Sequence, residues 1–168
     1  MIKIEEHIAS VPDFPKTGIL FRDISPLFRN YFSETIDQLS GLFSHEEWGN
    51  IDAICGIDAR GFILAGALSY KHNKGLINIR KAGKLPNPGG EIEYELEYGT
   101  AKLEIHAGSG NVLIVDDVIA TGGTLNAAAN LCQKTGYNVL GFCSIINLKN
   151  LNNFAWNNIK PKFLVEYE

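Results

Sequence analysis

The sequence predicts an α/β fold, a mostly parallel twisted sheet flanked by helices, with a β-hairpin flap. Three observations predict it. Residues 112–115 are an uninterrupted apolar run, which marks a strand covered on both faces, and the largely apolar residues 51–57 and 139–146 read as further buried strands. Helical spacings follow them, at residues 60–70 and at Leu125, Ala128, Ala129 and Cys132. Residues 91–97 and 101–106 instead alternate apolar with polar across a Tyr98-Gly99-Thr100 link, a hairpin pattern.

The elements follow in chain order. Residues 33–43 set Ile36, Leu39, Leu42 and Phe43 at helical spacing, with Ser33 as the expected N-cap and Glu34 in the first turn. Residues 51–57 form a strand, and residues 60–70 a helix lined by Phe62, Ala65 and Leu68 or Ser69. Residues 76–79 are a second short strand. The stretch KAGKLPNPGGE carries turn signals throughout and forms a loop. The hairpin after it is expected as a solvent-edge excursion from the sheet, a flap or lid. After the strand at 112–115, a helix runs to Lys134, with Gly136 as its C′ residue. Strands at 139–146 and 162–167 complete one expected domain over residues 1–168.

Composition narrows the function. Fifteen Lys and Arg oppose nineteen Asp and Glu, a net charge of −4, which argues against a nucleic-acid or anionic-membrane binder. Cys55, Cys132 and Cys143 stand far apart with no C-x-x-C, so neither a disulfide framework nor a zinc site is indicated. His7, His45, His72 and His106 show no metal-ligand spacing. The first residues, MIKIEEHIAS, lack a signal peptide's apolar core, and no apolar run approaches the ~18 residues of a membrane span. A cytoplasmic location is expected.

The chemistry concentrates in Val112-Leu113-Ile114-Val115-Asp116-Asp117-Val118-Ile119-Ala120-Thr121-Gly122-Gly123-Thr124. A buried strand runs into an acidic pair, a short apolar bridge, a Thr-Gly-Gly-Thr turn and a helix. A turn at a helix N-terminus offers an anion free N–H groups and the positive end of the dipole. Glycines let a phosphate approach the backbone, and the threonines add hydroxyls. The turn is neither a Walker A loop nor G-x-G-x-x-G. Two carboxylates repel a phosphate, so Asp116 and Asp117 are expected to face hydroxyl groups or a hydrated metal. A ribose 5-phosphate satisfies both halves of the pattern. Either half alone is also an ordinary strand end or helix cap.

This segment resembles the phosphoribosyl-pyrophosphate signature of the type I phosphoribosyltransferases. Four further segments resemble the adenine phosphoribosyltransferase family within it. Asp13-Phe14-Pro15 followed by Gly18-Ile19-Leu20-Phe21-Arg22-Asp23-Ile24-Ser25-Pro26 is similar to the base-recognition segment, set at about residues 11–28. Gly56-Ile57-Asp58-Ala59-Arg60-Gly61-Phe62 and Ile79-Arg80-Lys81-Ala82-Gly83-Lys84-Leu85-Pro86 are similar to the two pyrophosphate loops. Tyr94-Glu95-Leu96-Glu97-Tyr98-Gly99 is similar to the flexible-loop motif, in a flap at about residues 83–106. The resemblance spans residues 11–167, in order.

The resemblance implies a type I phosphoribosyltransferase-like fold and transfer of a phosphoribosyl group from phosphoribosyl pyrophosphate to N9 of adenine, giving AMP and pyrophosphate. By it, Ala120, Thr121, Gly122, Gly123 and Thr124 hold the 5-phosphate, and Asp116 and Asp117 hold the ribose hydroxyls and stabilise a cationic sugar. Asp58, Ala59, Arg60, Arg80, Lys81 and Lys84 serve pyrophosphate, with Asp58–Ala59 as a cis peptide. A Lys/Arg cluster alone is as readily a solvated face. This one follows a buried strand and opens a Gly/Pro loop. Mg²⁺ bridges pyrophosphate and sugar oxygens through water, without a direct protein ligand. Glu97 supplies or holds a proton at N7 of adenine, and Tyr98 helps close the lid. Glu91, Glu93, Glu95 and Glu104 share that hairpin, so only the motif selects Glu97. Leu20, Phe21 and Arg22 form the adenine pocket with Val118 across the ring, although Phe21 could equally be core packing. A homodimer is implied.

Two features depart from the family pattern. Thr17 stands where proline is usual before Gly18, and the connection at residues 107–111 is short. Two other readings stay open: a phosphoribosyltransferase for another base, and a sensor of phosphoribosyl pyrophosphate that binds nucleic acid.

Overall fold

The computed structural model describes residues 2–96 and 99–168. A short antiparallel ribbon of β1 (Ala9–Pro12) and β2 (Leu20–Asp23) opens the chain. Helices α1 (Ser25–Asn30), α2 (Phe32–Ser40) and α3 (His45–Asn50) follow. The main sheet comprises β3 (Ala53–Ile57), β4 (Gly75–Lys81), β5 (Gly90–Leu96), β6 (Gly99–Ile105), β7 (Gly110–Val115), β8 (Val118–Ile119), β9 (Tyr137–Leu148) and β10 (Lys162–Tyr167). Helix α4 (Arg60–His72) joins β3 to β4, and α5 (Gly123–Lys134) leads into β9.

The strand order is β10-β9-β7-β3-β4-β6-β5, with β8 paired to β9. Pairings from β10 through β4 are parallel, while β6 pairs antiparallel with both β4 and β5. The sequence expectation of a mostly parallel sheet with a hairpin therefore holds. Strand alternation explains why the central strands are apolar throughout. Ile54, Leu113, Val115 and Cys143 face a core closed by Leu64, Ala65 and Leu68 of α4. Cys55, Ile57, Val112, Ile114 and Phe142 face a second core closed by Leu125, Ala128 and Leu131 of α5. The two crossover helices thus cover opposite faces of one sheet.

Some boundaries differ from the sequence expectation. Ser33 is not an N-cap: α1 and α2 nearly abut, Tyr31 occupies the cap, and Ser33 lies inside the helix. The Thr35 N–H and hydroxyl both donate to the Tyr31 carbonyl, so the helix start is set by backbone continuity. The helix closes at Ser40, and Leu42 and Phe43 pack beyond its end. Helix α3, unforeseen, carries a full capping box between Ser44 and Glu47. The hairpin is not a free excursion from the sheet. Its β6 strand is hydrogen-bonded to β4 at Arg80 and Lys81, and Leu103 and Ile105 are core residues. As expected, Gly136 follows the α5 cap with φ +106°.

Trp48 and Trp156 are buried, each with its indole N–H donated, to the Ser40 carbonyl and to Asn130 Oδ1. His72 stacks on Trp48 with ring centroids 3.7 Å apart, and its Nε2 lies 2.8 Å from Ser40 Oγ. Among the described residues, no helix is long and apolar enough to cross a membrane.

Helix α4 lies so close to the sheet that glycine is obligatory at one position. A Cβ on Gly61 would stand 2.6 Å from the Val115 carbonyl oxygen. Gly66, in the same helix, has only Leu76 Cδ2 at 4.0 Å. Gly61→Ala is expected to destabilise the protein by about 1–3 kcal/mol through overpacking. Gly66→Ala is expected to stabilise it by about 0.5–1 kcal/mol through helix propensity. Urea unfolding of both variants checks this; shifts of the same sign would contradict the packing described.

Candidate active site

Neighbouring strands β3 and β7 run parallel, with Ala53 opposite Val112 and Gly56 opposite Val115. Their C-terminal ends therefore emerge side by side, at Asp58 and at Asp116-Asp117. Each leads to a helix whose cap residue offers its first N–H groups no side chain, although at α5 the Gly123 N–H makes a long contact of 3.4 Å to Thr121 Oγ1. Helix α4 starts after Ala59 and α5 after Gly122, and neither cap residue gives its helix a side-chain hydrogen bond. Two anion-attracting helix ends thus share one rim of the sheet. Gly122 sits at φ +84°, and a Cβ there would stand 2.9 Å from Phe154 Cβ, so the turn admits only glycine. The Asp58–Ala59 peptide is cis.

The acidic pair lies between the helix ends. Asp117 is buried, and its Oδ2 lies 2.8 Å from Arg60 Nε. That approach is poorly angled, so the ion pair leaves Asp117 Oδ2 without a hydrogen bond. Asp116 Oδ1 accepts the Asp117 N–H at 2.9 Å. Burial, and then the neighbouring Asp117 carboxylate, push the Asp116 carboxyl well above the usual carboxylate range. A buried carboxylate oxygen that accepts no hydrogen bond suits a hydroxyl donor.

The basic residues gather on the opposite wall. Asp58 Oδ2 holds Lys84 Nζ at 3.2 Å, the Lys81 N–H at 3.3 Å and Arg80 Nε at 3.8 Å. Burial raises the Asp58 carboxyl, but the Lys84 ammonium, the Lys81 N–H and the Arg80 guanidinium outweigh it and hold the pKa low. Arg80 Nε is buried without a hydrogen bond, its charge met by Asp58 at 3.8 Å. A hollow of about 510 Å³ connects the two walls, lined among others by Asp58, Arg60, Lys81, Asp116, Asp117 and Thr124. Of the three cations only Lys81 lines this hollow; Arg80 and Lys84 reach its wall through Asp58.

The ribbon divides the expected adenine pocket. Leu20 and Arg22 line a cleft of about 720 Å³ with Ala120, Thr121 and Thr124. Phe21 alternates to the other face of β2, edge-on to Phe14 at 5.2 Å and 5.5 Å below the Arg60 guanidinium. Val118 is half-buried beside the Gly122 turn, in a hollow of about 70 Å³ that also takes in Asp116. Hence the four residues do not line one cavity: period-two alternation puts Phe21 on the Arg60 side. Thr17 lies in a turn closed by the Gly18 N–H on Asp13 Oδ1 at 2.7 Å.

Glu97 and Tyr98 lie outside the described residues. The strand that leads to them reaches the site: Glu95 and Leu96 line the 720 Å³ cleft, and the Glu95 carbonyl lies against Gly123. Three contributors were not foreseen. Tyr167 packs its ring 3.8 Å from the Arg22 guanidinium. Asn152 donates to the Ala120 carbonyl at 2.7 Å and so steadies the Gly122 turn. Glu104 is buried beneath the basic loop. No sequence pattern marks any of the three. Among the described residues, no group of three His, Cys, Asp or Glu is placed to hold a metal ion.

The Phosphoribosyl transferase domain family model matches residues 33–157. An adenine phosphoribosyltransferase from Bdellovibrio bacteriovorus is 50% identical over 165 residues, covering 98% of this chain and 99% of its own. One from Hydrogenovibrio crunogenus is 49% identical over 166 residues, covering 98% and 96%. The solved adenine phosphoribosyltransferase of Saccharomyces cerevisiae, complexed with adenine and an imino-altritol bisphosphate, superposes with TM-score 0.84 at 34% identity, covering 96% of each chain. Likeness of this extent, over a sheet rim built for two anions, assigns the lineage: the chain belongs to the adenine phosphoribosyltransferase family.

Proposed function

We propose that this chain transfers the 5-phosphoribosyl group of phosphoribosyl pyrophosphate to N9 of adenine, releasing pyrophosphate and AMP. One observation carries the reading: two helix N-termini whose cap residues give no side-chain hydrogen bond open on one sheet rim, with the buried Asp117 carboxylate between them held by the Arg60 ion pair at its Oδ2. A sugar with an anion at each end and hydroxyls between has that pattern of needs. The N9–C1′ bond forms as the C1′–O bond to pyrophosphate breaks, and the single imidazole proton of adenine, carried on N7 while N9 attacks, leaves by way of Glu97 to water or the released pyrophosphate.

Each group then has a task. Ala120, Thr121, Gly122, Gly123 and Thr124 take the 5-phosphate on N–H and hydroxyl donors at the start of α5. Asp117 accepts ribose hydroxyls, and with Asp116 it stabilises the positive sugar. Asp58, Ala59, Arg60, Arg80, Lys81 and Lys84 surround the departing diphosphate. Asp58 keeps the cations in place without quenching all of them. Leu20 and Arg22 contribute backbone to the edge of the base, Phe21 offers its ring, and Val118 closes the other side. Glu97 holds the proton at N7, and Tyr98 helps exclude water. Mg²⁺, when bound with the diphosphate, neutralises leaving-group charge. Hard carboxylate oxygens on Asp116 and Asp117 fit its water shell.

A cytoplasmic location accords with three buried free cysteines. A homodimer accords with the apolar stripe of Ile63 and Tyr70 on α4, which continues onto Leu76.

Incubation with Mg²⁺, phosphoribosyl pyrophosphate and separately adenine, hypoxanthine, guanine or orotate is expected to yield a nucleotide from adenine alone. Product from another base would overturn the base assignment. Asp117→Asn is expected to lower kcat/KM by about 10²-fold or more, and Glu97→Gln to lower kcat with little change in phosphoribosyl-pyrophosphate KM.

A further prediction concerns Asp116. A carboxyl whose folded pKa is raised keeps its proton longer in the folded state. Free-enzyme stability therefore falls as pH rises from the unfolded value toward the folded one. Asp116→Asn should raise the melting temperature at pH 7, on the order of 2–4 °C, while activity drops. The stability gain should vanish near pH 4. Thermal melts at both pH values check this, and a pH-independent gain would contradict it.

A further inference from the structure

Glu104 is a buried carboxylate with no task in the reaction above. It sits on β6 at the root of the hairpin, directly opposite Arg80 of β4. Its neighbours in sequence, Leu103 and Ile105, belong to the core, but its own side chain turns under the basic loop. Oε2 accepts the Gly83 N–H at 3.0 Å, and Oε1 accepts the N–H groups of Lys84, at 2.7 Å, and Leu85.

Three consecutive backbone donors converging on one buried carboxylate form an anion nest made by the protein for its own side chain. The nest fixes a segment that otherwise has little to hold it. Residues 82–89 are turns and bends rich in Gly and Pro, with backbone bonds only at the ends, from Ala82 N–H to Lys102 and from Gly89 N–H to Ile105. The segment carries Lys84, whose ammonium reaches Asp58 at 3.2 Å, and whose carbonyl accepts from Arg80 Nη1 at 3.5 Å. Without an internal anion, Arg80, Lys81 and Lys84 would repel one another. Burial raises the Glu104 carboxyl, but the three N–H donors and the Arg80 charge outweigh it and keep it ionised.

We propose that Glu104 is a positioning residue: by clamping the N–H groups of Gly83, Lys84 and Leu85, it sets Lys84 and Arg80 for the diphosphate and ties the basic loop to the root of the hairpin. The inference rests on the transfer reaction proposed above. Glu104→Gln keeps shape and one accepting oxygen but removes the charge and turns an N–H₂ toward a donor. Glu104→Ala removes all three bonds.

The test measures magnesium-pyrophosphate affinity by calorimetry, and KM for each substrate, in the wild type and both variants. Glu104→Gln is expected to weaken pyrophosphate binding and raise phosphoribosyl-pyrophosphate KM by about tenfold, the scale of one charge-assisted hydrogen bond. Adenine KM should stay within about twofold, and Glu104→Ala should exceed Glu104→Gln. A purely structural residue would move both KM values together; that result, or unchanged pyrophosphate affinity, would overturn the proposal. Amide exchange on the wild type gives a second measure. Slow exchange at Gly83, Lys84 and Leu85 is expected, and loop-like exchange at all three would overturn the clamp even if neither variant folds. A wild type that binds pyrophosphate but makes no AMP would instead count against the reaction, leaving the binding comparison intact.

Discussion

Everything at the site depends on the parallel pairing of β3 with β7. Between these two strands the chain's direction of winding reverses: β3 leads outward to β4, and β7 leads the other way to β9. Helices α4 and α5 therefore pack on opposite faces, and their N-termini converge at a single rim. Ligands in open α/β sheets bind at such a switch point. Here the convergence is tightened by close backbone packing. A Cβ on Gly56 would stand 2.8 Å from Ala65 Cβ, and one on Gly61 would press on the Val115 carbonyl. Larger residues would push α4 away from β7 and separate the two anion-binding ends.

Charge is arranged around that rim in layers. The free helix N–H groups and the Arg80, Lys81 and Lys84 cluster attract anions. Glu104 lies behind the cluster and holds its backbone, while Asp58, on the wall of the hollow, holds Lys84 and Arg80. Asp116 and Asp117 stand between the helix ends, partly countered by Arg60. Their mutual repulsion is costly in the free protein, and the cost is reduced when cationic or hydroxyl-bearing groups arrive. In the structural helix α3, by contrast, a capping box ties the Glu47 N–H to Ser44 Oγ and the Ser44 N–H to the Glu47 carboxylate.

Much of this was legible in the sequence. Apolar runs marked β3, β7 and β9 because both faces of those strands are buried. The Asp116-Asp117 and Thr-Gly-Gly-Thr pattern marked the rim, since each residue type has a local reason there. Legibility failed where long-range packing decides. Ser33 looked like a cap, but continuity through Tyr31 overrides it. The Ser44–Glu47 box has the Ser-x-x-Glu spacing in the sequence itself. Glu104 looked like an exposed strand carboxylate among others, because alternation cannot show that a loop twenty residues earlier folds over it. The separation of Phe21 from Leu20 and Arg22 follows from period-two alternation, once β2 is known to be a strand.

The central claim is that one rim holds two anion subsites, one at each helix end. Amide NMR shifts during separate titrations with ribose 5-phosphate and magnesium pyrophosphate test it most directly. Ribose 5-phosphate should move the amides of Thr121, Gly122, Gly123 and Thr124, and pyrophosphate those of Ala59, Arg60 and Gly61 together with the Lys84 segment. Two distinct sets whose shifts add when both ligands are present would bear out the account. A single shared set, or shifts confined to residues away from both helix ends, would contradict it.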